Sequence, residues 1–262
     1  MIVDGKAIAA SIVDALIKER GTLPSDLKLG VLMGAEDAAS ASFVRIKERV
    51  AQKLSVEVVR ELLPDNCTTE DALAALERLD EQCAGIIIQM PLPSNINAAD
   101  ILAALPAHKD VDAIAGVQTA VLAPVAGAVS EVLVRMGVSA SGKKAVVVGA
   151  GKLVGAPVAE LLRDLWAHVT VITKDEGSLD ELKDADIVVL GAGEPGLVKP
   201  DMLKEKVVLI DAGTSEDAGR LAGDADPACA EVASVFTPVP GGIGPIAVAM
   251  IFKNLFALAK HQ

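Results

Sequence analysis

An α/β fold with a parallel sheet is what this sequence predicts, and three observations carry the prediction. The stretch Lys143–Thr173, KKAVVVGAGKLVGAPVAELLRDLWAHVTVIT, opens on an apolar β-branched run, Ala145–Val148. A glycine loop, a helical stretch (Pro157–Trp166) and a second β-branched run (Val169–Ile172) follow, which is the pattern of buried parallel strands joined by a crossover helix. The alternation of strand and helix then continues to Asp211, as in a Rossmann-like sheet. Finally, hydrophobic residues make up 52% of 262 positions, with aromatics at 2% and no tyrosine, so the core must be built of Ala, Val, Leu and Ile. That length suits two modest domains or one large one.

Taken in order, residues 6–20 set Ile8, Ile12, Ala15 and Leu16 at helical spacing and stop at Gly21. LKLGVLMG (27–34) reads as a strand, and AASASFVRIKERVAQKLSV turns helical after it. Phe43 and Lys47 are four apart on that helix and share a face. By themselves they fit a core ring beside a snorkelling lysine stem. VEVVREL (56–62) is a second strand, and Thr69–Cys83 is a helix with a Thr-Thr-Glu-Asp cap region. Gly85–Ile88 is a third strand ending in Gln89 and a proline-rich turn; α/β proteins present ligand-contacting side chains at strand C-termini. Ala98–Leu105 is helical. In His108-Lys109-Asp110-Val111-Asp112 two carboxylates flank a valine. They read either as solvated or capping acids or as an acceptor for the N–H edge of a flat heterocycle. Pro124 opens a helix that links two domains.

Beyond Thr173, Ser178–Asp184 reads as helix, and Asp186–Leu190 as a strand ending in Gly191-Ala192-Gly193. Pro200–Lys204 reads as a short helix and Lys206–Asp211 as a strand. The segment Phe236–Pro245 is dense in glycine and proline, a rigid turn or a wall that lets backbone approach a flat ligand. Ile246–Ala259 closes the chain as an apolar helix.

The loop Gly149–Gly155 has the spacing GxGxxxG at a strand-to-helix turn. Such a turn offers a helix N-terminus to a pyrophosphate, although glycine-rich βα turns also occur without a ligand. A net charge of −12 argues against a nucleic-acid surface. Apolar runs are too short for a membrane span, and the N-terminus shows no secretory signal. Cys67, Cys83 and Cys229 are scattered and read as reduced thiols. With His108, His168 and His261 they form no metal pattern. These features describe a soluble cytoplasmic protein with no nucleic-acid or membrane partner and no metal.

Set side by side, several of these strings resemble the bifunctional methylenetetrahydrofolate dehydrogenase/methenyltetrahydrofolate cyclohydrolase family. They are Phe43-Val44-Arg45-Ile46-Lys47, Gln89-Met90-Pro91-Leu92-Pro93, Lys109-Asp110-Val111-Asp112-Ala113, the loop Gly149–Pro157 and Thr237–Pro245. The resemblance spans nearly the whole chain. It implies a folate-binding catalytic domain over 1–123 plus 244–262, completed by the C-terminal helix. A Rossmann dinucleotide-binding domain over 124–243 would follow, with a cleft between the two. It implies oxidation of 5,10-methylenetetrahydrofolate and hydrolysis of the methenyl product to 10-formyltetrahydrofolate, within one-carbon metabolism and purine biosynthesis. Lys47, Gln89 and Asp112 match the family's catalytic positions. Phe43, Pro91, Leu92, Gly241, Gly242 and Pro245 match substrate-binding ones. Gly149, Ala150, Gly151, Lys152, Val154, Gly155, Thr173, Lys174, Gly191 and Gly193 match the cofactor wall. The partners implied are tetrahydrofolate derivatives and a second copy of the chain in a homodimer.

The chain also departs from the family. Phe43 replaces a tyrosine, Ala113 a glycine and Ala247 a threonine, and the segment from Ala113 to Pro124 is shorter. Ala150 and Gly151 replace arginine and serine, and Thr173-Lys174-Asp175 replaces His-Ser-Arg. NADP is the expected cofactor, through Lys152 and Lys174, with NAD the alternative through Asp175 or Glu176. A monofunctional cyclohydrolase, or a folate-binding protein without catalysis, is the alternative function.

Overall fold

The computed structural model describes residues 1–34, 38–116, 119–217 and 220–262, without the side chains of 38–43, 216, 217 and 220. The chain divides into two compact units, Ala10–Pro124 with Val248–Gln262 and Met1–Ala9 with Val125–Ala247.

The first unit is built by α1 (Gly5–Glu19), β1 (Lys28–Gly34), α2 (Ala38–Lys53), β2 (Glu57–Leu63), α3 (Thr69–Gln82), β3 (Gly85–Gln89) and α4 (Ala98–Ala104). On α1, Ile12, Val13 and Leu16 are buried, as the helical spacing requires. Arg20, in the short 3₁₀ turn that follows, donates to the carbonyls of Leu23, Pro24, Ser25, Leu54 and Ser55 and ties two loops together. The strands pair in parallel in the order β2-β1-β3. The central β1 buries Leu29, Val31, Leu32 and Met33, which is why it reads as an unbroken apolar run. Helix α3 begins on a reciprocal cap: the Thr68 hydroxyl accepts from the Asp71 N–H, and the Asp71 carboxylate accepts from the Thr68 N–H. Its Ala72, Ala75, Leu76 and Leu79 pack on the sheet with Ile86, Ile88, Ile101 and Leu105.

The second unit follows with α5 (Pro124–Arg135), β4 (Lys144–Val148), α6 (Gly155–Asp164), β5 (His168–Ile172), β6 (Ile187–Leu190), β7 (Val208–Asp211), β8 (Ser215–Asp217), β9 (Arg220–Ala222), β10 (Val235–Thr237) and α7 (Ile243–Ala259). Its five-stranded sheet is parallel, in the order β10-β7-β6-β4-β5. The inner strands β6 and β7 are buried along their whole length. Just before β5, an edge strand, Trp166 stands in the left-handed region (φ 63°) and is 80% exposed.

Several elements differ from the sequence expectation. Residues 179–184 and 200–202 form 3₁₀ turns rather than α-helices, as suits segments too short to repay α-helix nucleation. Helix α7 begins at Ile243, three residues early, because Pro245 falls in its first turn, where a missing N–H leaves no bond unmade. Val235–Thr237 is a strand that runs into the first two residues of what reads as a glycine–proline loop. The first nine residues group with the second unit. There Val3 N–H donates to Phe236 O at 2.8 Å, and Phe236 N–H to Met1 O at 2.9 Å. The carboxyl-terminal part of α7 belongs to the first unit, where Lys260 pairs with Glu19 at 2.5 Å.

Candidate active site

Helix α2 carries Lys47 three residues after the buried Val44 and four before the buried Ala51, so its amine leaves the core edge half-buried. Phe43 lies one turn earlier on this helix, and its side chain is outside the described residues. Gln89 is the last residue of β3. Nζ of Lys47 donates to Oε1 of Gln89 at 2.8 Å, and Nε2 of Gln89 donates to Met90 O at 3.1 Å. The second bond fixes which end of the amide faces the lysine. Burial lowers the Lys47 pKa, while the negative charge of Asp112 works against that shift.

Asp112 is held from both sides. The loop before it runs beside β3, with Ile86 N–H donating to Lys109 O at 2.7 Å. Lys109 is anchored by Asp80 at 2.8 Å. The fully buried Asp110 accepts from Ala115 N–H at 2.9 Å. Val111 packs where a Cβ on Gly85 would stand, 2.5 Å from its Cγ1, so only glycine fits there. From α7, Nδ2 of Asn254 donates to Val111 O and to Leu122 O, both at 2.8 Å. Ala113 adopts φ 51°, a left-handed conformation that glycine takes freely and alanine does not. Burial pushes the Asp112 carboxyl up to about 6, with Lys47 pulling it down and Asp110 pushing it further up. An amine shifted down and a carboxyl shifted up, each acting on the other, is the kind of pairing found where acid–base chemistry is done. Pro91 is exposed beyond Gln89, whereas Leu92 packs on the apolar core.

In the second unit, Gly149 has φ 100° and leaves no room for a side chain, since a Cβ would lie 2.4 Å from Gly191 O. A Cβ on Gly155 would lie 2.0 Å from Gly149 O. Gly151, by contrast, faces open space. Helix α6 starts with no side-chain cap at Val154; Ala156 N–H is taken by Gly151 O at 3.1 Å and residue 157 is proline, so Gly155 N–H is the first-turn donor open to an anion. Ala150, Lys152, Lys174 and Gly193 are exposed. Thr173 turns the chain sharply, its hydroxyl accepting from Asp175 and Glu176 N–H at 3.3 and 3.1 Å. The open Gly151, the Gly155 N–H and the exposed Lys152 and Lys174 fit a dinucleotide phosphate. Gly241, Gly242 and Pro245 lie in this unit, where Gly5 N–H donates to Gly241 O at 3.0 Å.

Asn254, Asp211 and Asp224 escaped the sequence reading. Their partners are main-chain groups, from two residues away for Asp211 to 143 for Asn254, and no motif announces them. No group of His, Cys, Asp and Glu suited to a metal ion occurs among the described residues. No helix among them is long and apolar enough to cross a membrane.

A parallel five-stranded sheet with a glycine turn, joined to an α/β unit presenting a lysine–carboxamide pair, defines a two-domain Rossmann-type protein. Residues 3–112 match the catalytic domain of tetrahydrofolate dehydrogenase/cyclohydrolase, and residues 123–262 match its NAD(P)-binding domain. The chain belongs to this family. It is 38% identical over 281 residues to the bifunctional protein FolD of Halothermothrix orenii, covering 100% of this chain and 98% of that protein. The crystal structure of the bifunctional FolD methylenetetrahydrofolate dehydrogenase/cyclohydrolase from Campylobacter jejuni superposes with a TM-score of 0.94 at 30% identity, covering 100% of this chain and 99% of that one. The Trypanosoma brucei N5,N10-methylenetetrahydrofolate dehydrogenase-cyclohydrolase, complexed with NADP cofactor and inhibitor, gives 0.92 at 32% identity, covering 100% and 97%.

Proposed function

We propose that the chain oxidises 5,10-methylenetetrahydrofolate to the 5,10-methenyl cation with NADP, and hydrolyses that cation to 10-formyltetrahydrofolate. The observation that carries the reading is the 2.8 Å bond from Lys47 to Gln89 in the field of Asp112, within a chain matching both family domains.

Hydrolysis joins the water oxygen to the bridging carbon and breaks the carbon–N5 bond; of the two water protons N5 takes one and the other is released. An amine with a lowered pKa can take and return these protons near neutral pH, the role given to Lys47. Gln89 aims Nζ with a neutral oxygen, whereas a carboxylate there would hold the ammonium form. Asp112 accepts from the pterin N–H edge, and Phe43, Pro91 and Leu92 contact the folate rings. NADP, when bound, supplies the hydride acceptor. Protein acid–base groups are not needed for that transfer, and the chain's task is orientation. The N–H groups of the Gly149–Gly155 turn hold the pyrophosphate, with Ala150 and Val154 in the same turn. Lys152, Thr173 and Lys174 flank the adenosine phosphate, Gly191 and Gly193 line the dinucleotide, and Gly241, Gly242 and Pro245 approach the folate.

Purified protein given methylenetetrahydrofolate and NADP should form NADPH, and should consume the methenyl cation when supplied with it. Absence of both reactions overturns the proposal. The chain is further read as a homodimer, supported by the open edge of β5 and the exposed Trp166. A monomer mass in sedimentation would remove the dimer.

A further inference from the structure

The second unit buries two carboxylates that the reactions above leave unused. Asp211 ends β7 and Asp224 follows the β8–β9 hairpin, with 1% and 0% exposure. Main-chain N–H groups satisfy both. Asp211 accepts from Gly213 at 3.0 Å, Asp224 at 3.3 Å and Ala225 at 2.9 Å. Asp224 accepts from three consecutive amides, Ala192 at 2.6 Å, Gly193 at 3.1 Å and Glu194 at 2.8 Å. Two glycines make room for the pair. A Cβ on Gly213 would lie 2.1 Å from the Asp224 carboxyl carbon, and one on Gly223 would lie 2.1 Å from Asp211 Oδ2.

Those three amides belong to the turn that leaves β6, directly after Gly191. Gly191 in turn abuts the glycine loop twice. Its carbonyl oxygen sits 2.4 Å from where a Gly149 Cβ would stand, and a Cβ on Gly191 would lie 2.5 Å from Val154 Cγ1. At such separations, moving the Gly191 turn forces the Gly149–Val154 segment to move as well.

We infer that Asp224 is a positioning residue of the dinucleotide site, anchoring the Gly191–Glu194 turn against the Gly149–Gly155 turn, with Asp211 fixing Asp224 in its place. The inference rests on the proposed reading of these two turns as walls of the cofactor site. A carboxylate can serve three amide donors at once because both its oxygens only accept. A carboxamide offers one oxygen and turns an NH₂ group toward a donor, leaving a buried amide without a partner. The anchor acts through the main chain and leaves the Lys47 centre of the other unit untouched.

The test uses the full chain as wild type, Asp224→Asn and Asp211→Asn. Calorimetric titration with NADP alone should show the dissociation constant rising roughly tenfold or more in Asp224→Asn, with a smaller rise in Asp211→Asn. The KM for NADP should follow the dissociation constant, the cyclohydrolase rate should stay at the wild-type level, and the amides of 192–194 should exchange faster with solvent deuterium. Unchanged NADP affinity in a folded Asp224→Asn protein overturns the inference, as does an equal loss of cyclohydrolase, which would mean general loosening. Should Asp224→Asn not fold, the same comparisons on Asp211→Asn decide. A wild-type protein that binds no NADP refutes the cofactor reading itself, a result recognisable before any variant is made.

Discussion

Asn254 reaches from α7 to bind the carbonyls of Val111 and Leu122 with a single amide nitrogen, each at 2.8 Å. One side chain thereby closes both ends of the segment that carries Asp112. Replacing it with leucine strands the buried Val111 carbonyl and leaves that of the exposed Leu122 to water, which should cost about 1 to 3 kcal/mol of stability. Denaturant titration checks this, and a change under about 0.5 kcal/mol would assign the loop's placement to other contacts. Cyclohydrolase turnover should fall more than NADP binding, since only the former depends on Asp112.

Lys47→Ala should reduce cyclohydrolase turnover by about 10² to 10⁴, the usual contribution of a positioned acid–base group, while sparing part of the hydride transfer. Equal loss of both activities would contradict the role assigned to the amine. Gln89→Glu is a subtler probe. An anion in contact with Nζ favours the ammonium form, so the pH at which the rate is half-maximal should move upward.

The Asp112 carboxyl, raised to about 6, sets the acidic limb. Ring binding needs the ionised form, so kcat/KM should fall as pH drops through about 6. Stability runs the other way. A folded-state pKa above the unfolded value of 3.8 contributes stability that is full below that value and lost as pH rises through about 6. Asp112→Asn should therefore stabilise the chain at pH 7, by on the order of 1 to 2 kcal/mol, while impairing catalysis. A variant that is both inactive and less stable would refute this sign.

Ala113→Gly removes a left-handed alanine. Relief of about 1 to 2 kcal/mol outweighs about 0.5 to 1 kcal/mol of lost chain restriction, so the urea midpoint should rise slightly. A fall would show that the alanine methyl makes contacts worth more than the strain.

Gly151→Ala and Gly155→Ala separate two uses of glycine within one loop. Gly155→Ala should lower the melting temperature, because its methyl meets the Gly149 carbonyl. Gly151→Ala should melt as wild type does, with any defect confined to NADP affinity. Similar melting behaviour for the two would undo the distinction.

Strands β1, β3, β4, β6 and β7 were legible in the sequence because each is a buried apolar run that a turn interrupts. Strand β10 was not, since three residues leading into a glycine–proline segment carry no periodicity, and its partners are β7 on one edge and Met1 and Val3, from the far end of the chain, on the other. Lys47 and Gln89, which the structure joins at 2.8 Å, and Asp112, whose charge acts on Lys47, stand in strings that the sequence singled out. Asn254 and Asp224 answer to backbone groups 143 and 32 positions away, and a bond to a carbonyl or amide leaves no trace in the identity of its partner. The left-handed strain at Ala113 was half-visible, as an alanine standing where a glycine was expected.

The placement of Trp166 has an optical consequence. The chain has one tryptophan and no tyrosine, so nearly all of its ultraviolet emission comes from a single indole on the outer margin of the five-stranded sheet. That emission should be red-shifted and readily quenched by iodide while the β5 edge is open to water. If two copies associate along this edge, it should shift to the blue and lose that quenching as protein concentration rises.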